Sequence, residues 1–143
     1  MNTNKLMIND WVLHEGEPYQ IRQLGIYGVN RDGEDYPAVC IGKPKGIGLI
    51  VGRNEINPIH LSTEILEKNF NSTELPDDPY GAYFFGGNDY VKVYIKEYTD
   101  GLWQVDVYEV EMGGMRPWRM FVSNVHELQH VMRFCGINKE IEL

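Results

Sequence analysis

Between residues 90 and 110 the chain alternates so regularly that a β-hairpin is the structure that suits it. Val91, Val93 and Ile95 fall on one side of a strand, and Thr99-Asp100-Gly101 supplies a turn. Trp103, Val105 and Val107 then return with their own apolar side. A period of two places alternate side chains on opposite faces of a strand, whereas a helix would scatter the same residues around its axis. Lys92 and Lys96 share the other side with Tyr90, Tyr94 and Tyr98, so that face is expected to be wet. Gly113-Gly114 leads into a third run at 118–122, which makes a meander.

The first third of the chain has shorter strands with stronger turn chemistry. Trp11-Val12-Leu13-His14 and the run 19–24 flank Glu15-Gly16-Glu17-Pro18, and Asp32-Gly33 marks the next turn. Runs at 36–41 and 47–51 surround Gly42-Lys43-Pro44-Lys45-Gly46. Short strands at this spacing predict a small curled antiparallel sheet or partial barrel over about residues 5–58. The period changes at 59–69. There Ser62 is a fitting N-cap, Leu61 can staple onto Leu66, Glu64 lies in the first turn and Lys68 in the last, predicting a short middle helix. Residues 71–81, with Pro76 and Pro79, are expected to form the longest loop. A last helix is expected from Val125 to about Cys135. Asn124 caps it, Glu127 stands three residues on, and Gly136 ends it in the left-handed conformation. The whole reads as an α+β chain in one domain, 1–143, whose C-terminal meander and closing amphipathic helix span about 80–143.

Composition narrows the function classes. The chain has 143 residues and a formal charge of −8. Lys and Arg supply most nucleic-acid affinity, so this balance disfavours direct nucleic-acid binding. The acids, including Glu34-Asp35, Asp77-Asp78, Glu109 and Glu111, are scattered as on a solvated surface. No apolar run approaches the ~20 residues of a membrane span, and Met1 to Lys5 do not open a secretory signal. A cytoplasmic protein is expected, with Cys40 and Cys135 as reduced, buried thiols.

One motif suggests catalysis. His126-Glu127-Leu128-Gln129-His130 matches H-E-x-x-H, in which two histidines one turn apart bind zinc and the glutamate acts as general base. Helical geometry argues against that use. At about 100° per residue from Val125, the apolar residues Leu128, Val131, Met132 and Cys135 centre near about 290°, while His126 and His130 fall near about 100° and 140°. The histidines are therefore expected on the water-facing side with Arg133. Arg133 and Gly136 stand where a zincin-like continuation wants glycine and histidine, and no spacing recruits His14, His60 or Cys40. No metal is expected. The alternative is a zinc hydrolase with His126 and His130 as ligands and Glu127 as base.

The most basic spot is the glycine-rich loop carrying Lys43 and Lys45, where an anionic ligand is expected first. It lacks the Gly-Lys-Ser/Thr ending of a P-loop. Tyr80, Tyr83, Phe84, Phe85 and Tyr90 are either core or, if exposed, a binding platform.

Three stretches carry a resemblance. They are Ile8-Asn9-Asp10-Trp11-Val12 with Gly16-Glu17-Pro18-Tyr19, then Ile56-Asn57-Pro58-Ile59-His60-Leu61-Ser62-Thr63-Glu64-Ile65-Leu66-Glu67-Lys68, and Val125-His126-Glu127-Leu128-Gln129-His130 through Ile141-Glu142-Leu143. Together they are similar to a family of uncharacterised small proteins carried by gut bacteria, their prophages and mobile elements. The resemblance implies no assigned enzyme activity and no metal site on the closing helix. The resulting expectation is a non-enzymatic, phage- or mobile-element-associated accessory protein that binds a protein or a small anionic ligand. The alternatives are the zinc hydrolase and an inhibitor or sponge of host defence.

Overall fold

The computed structural model describes residues 5–73, 83–110 and 118–143. These form an α+β fold with two five-stranded antiparallel sheets and two α-helices among the described residues. The chain divides into two compact units, Met1–Ile59 and His60–Leu143.

The first unit holds β1 (Trp11–His14), β2 (Glu17–Val29), β3 (Asp35–Gly42), β4 (Leu49–Gly52) and β5 (Ile56–Pro58), in the order β4-β3-β2-β1-β5. β2 runs well beyond the expected 19–24. Its first four residues pair with β1, and from Gln20 onward it pairs with β3. The register slips between Ile21 and Gln23 and again between Gln23 and Ile26. Gly25, with φ 70°, lies in the second slip. Such bulges bend a strand, which lets one long strand serve two partners in succession. β4 starts two residues later than expected, and Ile47 is 96% exposed instead of joining it. Residues of these strands supply most of the core, Val12, Ile21, Val39, Ile41, Val51 and Ile56, joined by Leu6 from the segment before β1, with Tyr19 and Leu24 packed against them. Asp10 is buried beside this core, and its carboxylate accepts the Met7 N–H at 2.7 Å.

The second unit holds α1 (Thr63–Asn69), β6 (Asn71–Thr73), β7 (Tyr83–Gly87), β8 (Val91–Thr99), β9 (Leu102–Glu109), β10 (Trp118–Val122) and α2 (Val125–Phe134). Its sheet order is β10-β9-β8-β7-β6. The expected loop at 71–81 is corrected at its start, because Asn71, Ser72 and Thr73 pair with Phe85, Phe84 and Tyr83 as a short edge strand. The rest of that loop, and Gly113-Gly114, lie outside the described residues. The hairpin of β8 and β9 pairs the two expected apolar faces, with Val93 opposite Val107 and Ile95 opposite Val105. Val93, Ile95, Trp103, Val105 and Val107 are all buried.

The helix ends follow their chemistry. The Ser62 hydroxyl accepts the Ile65 N–H at 3.4 Å. The backbone N–H at the helix start, then the Ser62 hydroxyl, hold the Glu64 carboxyl below its usual value. At the end of α2, Gly136 takes φ 68° and donates to the Arg133 carbonyl, while Ile137 donates to that of Met132. This is a Schellman ending, and Ile137 is buried as that motif prefers.

Asn69, at the last position of α1, has a role that periodicity does not reveal. It is 4% exposed, and its amide donates to the carbonyls of Ile65 and Glu142 at 2.8 and 2.7 Å. Its side-chain oxygen accepts the Glu142 N–H at 2.8 Å. The Lys139 ammonium donates to the Asn69 backbone carbonyl, and that of Lys68 donates to the Leu143 carbonyl at 2.6 Å. The last residues of the chain are thereby tied to α1, with Ile141 buried beneath them.

Candidate functional site

The H-E-x-x-H helix does not present its histidines to water. His126 is 5% exposed, Gln129 7%, and His130 is half-buried, which corrects the expected solvent-facing placement. The helical wheel infers burial from apolar residues alone. Here the buried arc runs from Val131 through Leu128, Met132, Val125 and Gln129 to His126, about 220° of the circumference at about 100° per residue. Phe134, near about 180°, is 85% exposed instead. Polar residues can occupy a buried arc when their surroundings receive them; His126, Gln129, His130 and Arg133 each have interactions there, although the buried His126 Nδ1 makes no hydrogen bond.

The histidine rings meet edge to face at 5.8 Å between centroids. Glu127 is occupied elsewhere. Its Oε2 accepts the N–H groups of Ser123 at 2.8 Å and Asn124 at 3.1 Å, closing the helix N-terminus. Among the described residues, no three His, Cys, Asp or Glu side chains converge as metal ligands. Glu127 acts as the acidic member of an N-terminal cap on α2. Glu127→Ala is therefore expected to lower stability by about 1 kcal/mol in urea denaturation. An unchanged midpoint would contradict the capping role.

The outward face of β8, β9 and β10 gathers chemistry instead. Strand pairing sets Tyr94, Asp106 and Arg119 in one row across the three strands. Lys96, Gln104 and Phe121 form the next row, and Lys92 lies opposite Tyr108 on the far side. Asp106 is 8% exposed and sits at the centre. Arg119 grips it with two bonds, Nε to Oδ1 at 2.8 Å and Nη2 to Oδ2 at 3.2 Å, and the Gln104 amide donates to Oδ2 at 2.8 Å. A carboxylate with this many donors is a fixed anchor for the guanidinium rather than a free acid. Lys92, Tyr94, Lys96, Asp106, Tyr108, Val110 and Arg119 line a recess of about 600 Å³. Three cations face one carboxylate among these residues, so the recess is locally positive on a chain of charge −8. The tyrosines meet edge to face at 5.5 Å.

The face expected to be wet is thus only partly so, because Gln104 and Asp106 are buried within it. Alternation alone places Lys92, Lys96 and the tyrosines on a solvated side. Arg119 went unnoticed because its partner lies across a strand pair. The usable signal was a lysine alternating with tyrosine along a single strand.

Lys43 and Lys45 lie in the first unit, on the loop between β3 and β4. Lys43 pairs with Glu17 at 3.2 Å and lies 5.5 Å from the Tyr19 ring centre, while its carbonyl accepts from Arg22 at 3.0 Å. Lys45 is exposed. Of the aromatic group, Phe84 is buried edge to face with Trp103 at 6.3 Å, and Tyr90 is 68% exposed. Tyr80 and the side chains of Tyr83 and Phe85 lie outside the described residues. Cys40 and Cys135 are free thiols, half-buried rather than buried as expected, and burial pushes the Cys135 thiol up. No described helix is long and apolar enough to cross a membrane.

Compared with protein-family models, curated proteins and solved structures, the chain matches none.

Proposed function

We propose that this is a non-enzymatic accessory protein that works by binding an anionic ligand on the outward face of β8–β10. The observation that carries this reading is the recess in which Lys92, Lys96 and Arg119 surround a buried, fully bonded Asp106. Asp106 holds Arg119 in place, so part of the ordering that an anion would otherwise have to impose is already present. A volume of about 600 Å³ falls in the range of small-ligand sites. The association with phages or mobile elements rests on the resemblance alone. For the first unit, the strand order and the two slips in β2 favour a sheet curled toward a partial barrel.

Tripolyphosphate tests the reading without assuming a biological ligand. Titration calorimetry at low salt is expected to register binding that falls about tenfold or more in the Lys92→Gln/Lys96→Gln variant, since each charged contact contributes about 1.5 kcal/mol or more. Equal binding by the variant would move the site elsewhere, and no binding by the native protein would refute the reading.

A further inference from the structure

Resting on that reading, the geometry points to single-stranded nucleic acid as the ligand of this face. β8 carries Lys92, Tyr94 and Lys96 on one side, and Tyr98, in the register irregularity at the strand end, joins them through its ring contact with Phe121. Same-face residues two apart are separated by about 6.8 Å, and Tyr94 and Tyr98 by about 13–14 Å. Each of these tyrosines is one half of an aromatic pair. Tyr94 meets Tyr108 at 5.5 Å and 88°, and Tyr98 meets Phe121 from β10 at 5.0 Å and 64°. Phe121 lies in the row of Lys96 and Gln104, and Tyr94 lies in the neighbouring row with Asp106. Tyr98 is 58% exposed, Phe121 47% and Tyr108 39%, so ring surface is open to a ligand.

Holding phosphate alone would need the cations but not two separate aromatic platforms. A single strand needs both, because its phosphates track cations while successive bases stack on rings. Base stacking tolerates any sequence, since every base has a flat face. Duplex is a poorer fit, because three cations fall short of the 6–10 phosphate contacts typical of strong duplex binders. The chain's charge of −8 argues against nucleic acid only if the charge is evenly spread, and on this face it is not.

The experiment is fluorescence anisotropy of a short labelled oligothymidylate, with native protein and with Tyr98→Ser, Phe121→Ser and Lys96→Gln. Thermal melts establish that each variant folds. The expected result is binding that weakens about tenfold in Tyr98→Ser. Between about 50 mM and 200 mM salt the log–log slope is expected near about −2, and shallower in Lys96→Gln. Unlabelled duplex should compete poorly. Affinity unchanged in both folded aromatic variants, or an oligoglutamate peptide competing as well as the unlabelled oligonucleotide, would overturn the inference. If tripolyphosphate binds and the oligonucleotide does not, the inference falls while the anion-binding reading stands. If neither binds, both fall.

Discussion

Trp103→Ala is expected to lower the stability of the second unit by about 4 kcal/mol. The residue is 4% exposed on β9, which lies between β8 and β10. Three losses combine in the alanine variant. The first is the transfer free energy of a large indole together with the cavity it leaves, since protein interiors are close-packed and relax only partly. The second is the edge-to-face contact with Phe84. The third is the hydrogen bond from the indole N–H to the Leu61 carbonyl at 3.2 Å, which fixes the segment entering α1. Trp103→Phe separates these terms, since it keeps most of the volume and should cost about 1–2 kcal/mol through the lost bond and shape change. Urea denaturation followed by far-ultraviolet circular dichroism measures both. A cost for Trp103→Ala no greater than for Trp103→Phe would mean that this side chain is not the packing centre described here.

The second large effect is expected at Asn69. Asn69→Ala should cost about 2–3 kcal/mol, because it removes the donor and the acceptor that serve Ile65 and Glu142 in one step. The loss should also be local. Amide hydrogen exchange at 137–143 is expected to accelerate more than exchange in β8 or β9, since the segment is held by Asn69, Lys139 and Lys68 rather than by a ladder. Asn69→Asp should be at least as damaging, because it replaces the amide donor with an oxygen facing two carbonyls. If the terminal amides keep their protection in Asn69→Ala, the tie between α1 and the chain end does not operate as described.

Much of the architecture was legible because it rests on local rules. The hairpin of β8 and β9 follows from strict alternation, and the cap at Ser62 and the stop at Gly136 follow from residue chemistry within one turn. Where local rules compete with longer-range contacts, reading failed. β2 extends beyond its apolar run because irregularities at Arg22 and around Gly25 let a mixed sequence keep pairing with β3. Asn71 opens a polar run, Asn71-Ser72-Thr73-Glu74, yet its backbone finds a partner in β7.

The site was legible in parts but not in its arrangement. Helical spacing correctly set His126 and His130 near each other, while the wheel misplaced them because it counted apolar residues rather than the elements around the helix. Glu127 holds both the capping position of α2 and the central position of H-E-x-x-H, and its carboxylate accepts the N–H groups of Ser123 and Asn124. The loop lysines Lys43 and Lys45 drew attention because adjacent glycines and lysines are conspicuous in one dimension. Lys92, Lys96 and Arg119 come together only once β8, β9 and β10 pair, and Asp106 gains meaning only with Arg119 beside it.

The central claim is that the anion site is the sheet face and not the glycine-rich loop. Amide chemical-shift mapping during a titration with tripolyphosphate tests it most directly. The account predicts saturable shifts at Lys92, Tyr94, Lys96, Asp106, Tyr108 and Arg119, with the loop around Lys43 and Lys45 unmoved. Saturable shifts confined to Lys43 and Lys45, or no saturable shifts at all, would contradict it.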